Sequence, residues 1–292
     1  MPERENDLIT GRKARGRPRA WDDKSGQNTI KSLDRAMAVF EHLSTQSGVS
    51  LSTLSDQTGE STATLYRILF TLETRGLVEF DQPQQLWHIG PAAFIVGARF
   101  LRRTSLVERA RPILRELMEE TGETANLGIQ KGDQVLFVSQ VETHASIRAF
   151  FPPGSLSPLH ASGIGKALLA FMPDTQCEKI LKSSKRERFT SYTLCDAALL
   201  KADLAQAQTR GYSIDGEEKN LGMRCIAAPV FNHYGEIAAG LSISASWFIV
   251  HTSMNSSRVP IPPGRAMKAS ASSAIRSLRA RRVGIISASL NP

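Results

Sequence analysis

A chain of 292 residues, 41% hydrophobic and 22% charged, has the make-up of a globular protein long enough for two domains. Its three cysteines, Cys177, Cys195 and Cys225, are widely spaced, with no CxxC pair and no histidine spacing suited to zinc; neither a disulfide framework nor a metal site is indicated, and a reducing cytoplasm fits. Of the net charge of +8, the stretch from Ile237 onward holds seven Lys or Arg and no Asp or Glu, so the rest is close to neutral. The longest late apolar run, IAAGLSISASWFIV (237–250), is too short and too serine-rich to span a bilayer, so no membrane partner is expected.

Residues 1–27 are polar, charged and broken by Gly and Pro, the pattern of a basic disordered arm. Within it GRKARGRPRA (11–20) concentrates five basic side chains. Arg15 and Arg17 belong to RGRP, the core of an AT-hook, which would lie in a narrow A·T minor groove. A basic tail that binds phosphates alone is the other reading of the same residues.

Residues 28–90 read as a winged helix-turn-helix. Leu33, Met37, Phe40 and Leu43 recur at helical spacing, Ser50 can cap a short second helix carrying Leu51 and Leu54, and Gly59 ends it in a tight turn. Ser61 is placed to cap a third helix with Leu65, Ile68, Leu69 and Leu72 on its core face and Gly76 at its end. LVEF and LWHI, separated by DQPQQ, make the two-stranded wing.

A linker helix is expected over 91–104, interrupted near Thr104, with Pro112 close to the start of the helix that follows. Over 105–245 the pattern turns mixed. TANLGIQ, QVLFVSQV and IRAFF suggest strands, GIGKALLAF and AALLKADLAQAQTRG helices, and YSID, MRCIAAPVF and EIAAGLSIS strands again. An antiparallel or mixed sheet with helices packed on it follows, so the fold class is α+β.

In a helix-turn-helix the second helix enters the major groove, and its N-terminal residues meet base edges. Ser61, Thr62, Thr64, Tyr66 and Arg67 are the candidate readers: the threonines can bond bases or meet a thymine methyl, Tyr66 can bond a phosphate, and Arg67 can take a guanine or a phosphate. A small helical domain with a solvated face is the plainer alternative. In the second half, ASGIGKA places Ser162, Gly163 and Ile164 where a loop enters a helix, a position at which backbone N–H groups and the helix dipole favour a small anion. Lys166 reads as a surface charge. Asp215 and Cys225 stand on adjacent candidate strands, and Ser242 and Ser244 share a face of a third. Cys225 as a buried small hydrophobe and the serines as filler would account for these residue types on their own.

The helix-turn-helix with its following RGLVEFD, together with GET, PLHASGIGKALLAF, GYSIDGEEKNLGMRCIAAPVF and GLSIS, resembles the IclR family of bacterial transcription regulators over residues 28–244. That resemblance implies a DNA-binding domain, a linker helix and a GAF-like effector-binding domain, assembled as dimers or tetramers on double-stranded operator DNA and switched by a small metabolite, with no cofactor. It further implies that Ser162, Gly163, Ile164, Asp215, Cys225, Ser242 and Ser244 line the effector pocket, as in members that bind small 2-oxo acids such as glyoxylate. Glu217 and Glu218 are read as exposed or as supports of that pocket. A catalyst built from Cys225 or a serine, with His160 as base and Asp215 as orienter, is disfavoured: there is no nucleophile-elbow motif. An architectural DNA-binding protein without an effector is the alternative function. The likeness stops after GLSIS. Residues 246–292, rich in Ser and Arg, read as a divergent DNA-contacting tail, an unstructured appendage or a segment translated in a shifted frame, the last slightly favoured by the abrupt loss of acids.

Overall fold

The computed structural model describes residues 29–102, 105–143 and 151–246. The basic arm with Arg15 and Arg17, the expected strand at 147–150 and residues 247–292 lie outside them. Contacts divide the chain into two units, Met1–Ala98 and Arg99–Pro292.

In the first unit three helices, α1 (Lys31–Leu43), α2 (Leu51–Thr58) and α3 (Thr62–Glu73), pack with an antiparallel hairpin of β1 (Val78–Asp81) and β2 (Leu86–Ile89). Val39, Leu43, Leu54, Leu65, Leu69 and Trp87 form the core. Only the last two turns of α1 reach it. Leu33 and Met37, placed on the same periodic face by spacing, are 57% and 42% exposed. Ser50 caps α2 by accepting from the Thr53 amide, and Gly59 ends it at φ 71°, the left-handed conformation that favours glycine. The turn before α2 is fixed to the wing by paired backbone bonds between Val49 and Trp87.

The helix α4 (Pro91–Arg102) precedes α5 (Leu106–Thr121). Pro112 lies inside α5, two turns from its start rather than near it. Proline there forgoes one intrahelical hydrogen bond, and the helix is held by burial of Ala110, Leu114 and Leu117 instead.

Among the described residues, six strands form one sheet in the order β5-β4-β3-β8-β7-β6, with every named pairing antiparallel. They are β3 (Thr124–Lys131), β4 (Gln134–Val141), β5 (Leu156–Pro158), β6 (Ser213–Gly216), β7 (Met223–Phe231) and β8 (Ile237–Ser246). A 3-10 turn (Leu159–Ala161) leads to α6 (Gly163–Phe171), followed by α7 (Asp174–Ser183) and α8 (Ala197–Arg210). Strand alternation sorts side chains onto two faces. Ala125, Leu127, Ala239 and Leu241 pack against α5, while Ile164, Ala167 and Leu168 of α6 belong to a separate core with Val135, Phe137 and Ala227.

Residues Gly163 to Ala170 of α6 are all buried, as expected of a helix that is apolar all round. It lies close to the sheet because Gly128 and Gly240, register partners in β3 and β8, leave room for Ile164. A Cβ on Gly240 would come within 2.8 Å of the Ile164 side chain.

Candidate functional site

The helix-turn-helix of the first unit is built by caps. Ser61 Oγ accepts from the Thr64 amide at 3.2 Å and bonds the Thr64 hydroxyl at 2.9 Å, so two of the five expected readers are tied to each other at the start of α3. Tyr66 and Arg67 are exposed on flanks of α3 turned away from Leu65, Leu69 and Leu72, and Thr62 is exposed in its first turn. Phe70, absent from the expected set, shares the flank of Tyr66: it is 51% exposed and stacks on Tyr66 with ring centroids 6.2 Å apart. Its spacing of four from Tyr66 was the available signal.

In the second unit the seven pocket residues come together. Ser162, Gly163, Ile164, Asp215, Cys225, Ser242 and Ser244 all line one cavity of about 20 Å³, walled also by Phe137, Phe151, Lys219 and Met223. Ser162 is the N-cap of α6, its hydroxyl accepting from the Gly165 amide at 2.9 Å. Asp215 and Cys225 are direct register partners across β6 and β7, and Cys225 is in turn opposite Ser244 of β8. The Cys225 thiol lies 3.0 Å from the Ser244 hydroxyl. From β3, Asn126 donates to Ser244 at 3.2 Å and to Ser242 at 3.4 Å, and Gln140 donates to Asn126 at 3.0 Å. Asn126 was missed in the sequence, where an asparagine inside TANLGIQ gave no hint of two serines more than a hundred positions away.

Beneath the cavity is a buried charge cluster. Lys166 is 1% exposed, and its ammonium ion-pairs with Glu218 and, at 2.9 Å, with Asp203. The expectation that Lys166 is a surface charge is therefore wrong: on a helix buried all round, no face remains for a solvated lysine, and carboxylates from two distant segments neutralise it. Glu218 is the buried one of the two glutamates and donates its backbone N–H to Asp215 Oδ1 at 2.8 Å. Glu217, at φ 71°, takes a two-point bond from Arg224 and accepts from the Gly222 amide.

One ammonium facing several carboxyl groups leaves negative charge in excess, and burial sets the outcome. Desolvation pushes Asp215 up to about 6, opposed by the Glu218 amide, Lys166 and Lys219. Glu218 is raised to about 7 by burial despite its lysine. Burial also lowers Lys219, against the pull of Asp215, and drives the Cys225 thiol up, which leaves it protonated. A protonated thiol is a poor nucleophile. His160, the base of the catalytic alternative, bonds the Glu187 carbonyl at 2.9 Å and lines a different cavity, with Ser184 and Lys185.

Residues 32–82 match the profile described as the IclR helix-turn-helix domain, and residues 98–257 that described as bacterial transcriptional regulator IclR, C-terminal. The HTH-type transcriptional regulator BhcR of Paracoccus denitrificans is 52% identical over 236 residues, covering 79% of this chain and 84% of that protein. The transcriptional repressor IclR of Escherichia coli is 38% identical over 233 residues, covering 79% and 85%. The crystal structure of the Thermotoga maritima IclR superimposes with a TM-score of 0.62 at 26% identity, over 86% of this chain and 99% of that one. These relatives are named as transcriptional regulators, not enzymes. The chain belongs to the IclR family of bacterial transcriptional regulators.

Proposed function

We propose that operator binding by this regulator is modulated by a small carboxylate, a 2-oxo acid of the size of glyoxylate or pyruvate, held in the cavity at the start of α6. The carrying observation is the convergence of a helix N-terminus, buried Asp215 and the hydroxyls of Ser242 and Ser244 on one small space. The N–H groups of the first turn, from Gly163 and Ile164, have no acceptor within their own helix, and the positive end of its dipole favours a carboxylate. Asp215 repels an anion when ionised; its raised value lets it be protonated and donate instead.

A space of about 20 Å³ holds one water. An acid of five or six heavy atoms therefore enters only as walls such as Phe151 and the segment carrying Lys219 move outward. That movement gives the ligand different affinities for two arrangements, without which binding would shift nothing.

On the DNA side, α3 enters the major groove with Thr62, Tyr66 and Arg67 reading, and Ser61 and Thr64 fixing the helix start. A dimer fits this use, with half-sites about one helical turn apart. Supporting self-association, α4 buries none of its residues, and Phe94, Ile95 and Val96 are 76%, 60% and 66% exposed.

Fluorescence anisotropy on DNA from upstream of the protein's own gene, against scrambled DNA at fixed salt, tests both halves. Selective binding shifted by glyoxylate or pyruvate supports the reading. Selective binding indifferent to every small acid removes the ligand class, and binding without selectivity removes operator recognition.

A further inference from the structure

We infer that Lys219 is the residue that selects a negatively charged effector, its ammonium taking the ligand's carboxylate in place of its present acceptor, Ser157. The inference rests on the cavity being the effector site. Among the described residues that line it, Lys219 is the one Lys or Arg. Lys166 lies below with its charge met by Glu218 and Asp203, so it has none to offer a ligand.

Lys219 is also held in position. Its two predecessors are fixed from opposite sides, Glu217 by Arg224 and the Gly222 amide, and Glu218 by Lys166 and by Thr193, whose hydroxyl bonds the Glu218 carbonyl. Between these anchors and the cavity, the Lys219 ammonium donates to Ser157 Oγ at 3.2 Å. Ser157 is 1% exposed and belongs to β5, on the opposite rim from the segment that bears the lysine. A neutral hydroxyl is a weak partner for a half-buried ammonium beside Asp215. A carboxylate is a stronger one, because it adds an opposite charge to a bond in which only the donor is charged, and partial burial leaves that attraction less screened than in water. The exchange leaves Ser157 to be satisfied by the ligand or by solvent. It also opens the contact that joins the two rims.

The dipole at the start of α6 favours an acid over an uncharged amide only modestly, and the hydroxyls do not distinguish the two. Lys219 makes the charge of the ligand decisive, and it is positioned where Asp215 would otherwise exclude an anion.

The test is isothermal titration calorimetry of the full chain with pyruvate, glyoxylate and pyruvamide, the uncharged counterpart of pyruvate. Wild type is expected to prefer pyruvate to pyruvamide. Lys219→Met should lose about ten- to a hundredfold in pyruvate affinity and leave pyruvamide affinity unchanged, and Lys219→Arg should restore part of the loss. Undiminished pyruvate binding by Lys219→Met overturns the role of Lys219 while the cavity remains the effector site. No binding of any probe to wild type overturns the cavity reading and this inference together. Should Lys219→Met fail to fold, Ser157→Ala serves: removing the competing acceptor is expected to tighten pyruvate but not pyruvamide, and a weakening of pyruvate overturns the exchange.

Discussion

Asp215 and Cys225 face each other across the β6–β7 ladder, and Gly163 of α6 sits over the pair: a Cβ built there would lie 3.2 Å from Cys225 Cβ and 3.8 Å from Asp215 Cβ. The helix start that is proposed to hold the ligand is thus pressed directly onto the two strand residues. Gly163→Ala is expected to lift α6 by a few tenths of an ångström, cost about 1–3 kcal/mol in urea unfolding and weaken acid binding. An alanine variant with wild-type calorimetry would show that the contact is not tight. Gly165→Ala should cost more, since its Cβ meets the backbone of Leu159 rather than a side chain.

Ser61 and Arg67 separate folding from reading on one helix. Ser61→Ala removes the α3 cap and should lower stability by about 1 kcal/mol while sequence preference persists. Arg67→Ala should leave unfolding unchanged and relax preference at one base pair by about 1–3 kcal/mol. Anisotropy and denaturation on both variants check this; a loss of preference in Ser61→Ala alone would move the reading role to the cap.

Lys166 and Glu218 carry a pH signature. Lys166→Met strands buried carboxyl groups and is expected to cost about 3–5 kcal/mol. Glu218 is raised in the folded chain from 4.5 to about 7, so it holds its proton more tightly folded than unfolded. Its contribution is complete below the ordinary value and is lost as pH rises through about 7. Relative to Glu218→Gln, which stays neutral, wild type should therefore lose up to about 1.4 kcal/mol per pH unit over this window. Parallel stability profiles for the two proteins would refute the assignment.

Asp215 gives the ligand its own pH dependence. Above about 6 it is ionised and repels an acid; below, it can donate to it. Pyruvate affinity is expected to rise as pH falls through about 6, a midpoint set first by burial of Asp215 and opposed by the Glu218 amide, Lys166 and Lys219, with Glu217 adding a small push upward. In Asp215→Asn the affinity should no longer change over that range. Calorimetry from pH 5 to about 8 covers the transition, and an unaltered profile in the variant would place the titration elsewhere.

Phe94 tests self-association. Phe94→Asp puts a charge on the exposed apolar face of α4 and should shift sedimentation toward the monomer, without loss of secondary structure. An unchanged sedimentation coefficient would direct attention to another surface.

Periodicity made most elements legible, because α3, α6, β4 and β7 each carry a clear apolar pattern with a glycine or serine within two residues of its start. Helix α7 escaped notice: Cys177, Ile180 and Leu181 give it too narrow an apolar stripe, and of its residues only Leu181 is buried. Strand β5 is three residues long and ends in Pro158, below any pattern. That the seven pocket residues share one cavity was suggested only by the likeness to IclR regulators, since they come from three strands and a loop that no local rule connects. Lys166 and Lys219 were not readable. Whether a lysine is buried, paired or aimed into a cavity depends on residues 37 to 62 positions away, Asp203, Glu218 and Ser157.

Strand β8 occupies the middle of the sheet although it is the last of the six to be made: Leu241 pairs with Leu127 on one side and with Ala228 on the other. Before it emerges from the ribosome, β3 and β7 each present an unpaired edge, and the β5-β4-β3 and β7-β6 halves have no common partner. The helix-turn-helix closes by local contacts long before then. Synthesis thus passes through a stage in which a finished DNA-binding unit trails two sticky half-sheets, the kind of edge that recruits another chain. A message truncated before codon 237 would yield a chain whose helix-turn-helix can close while its sheet cannot, with the edges of β3 and β7 left open to aggregation.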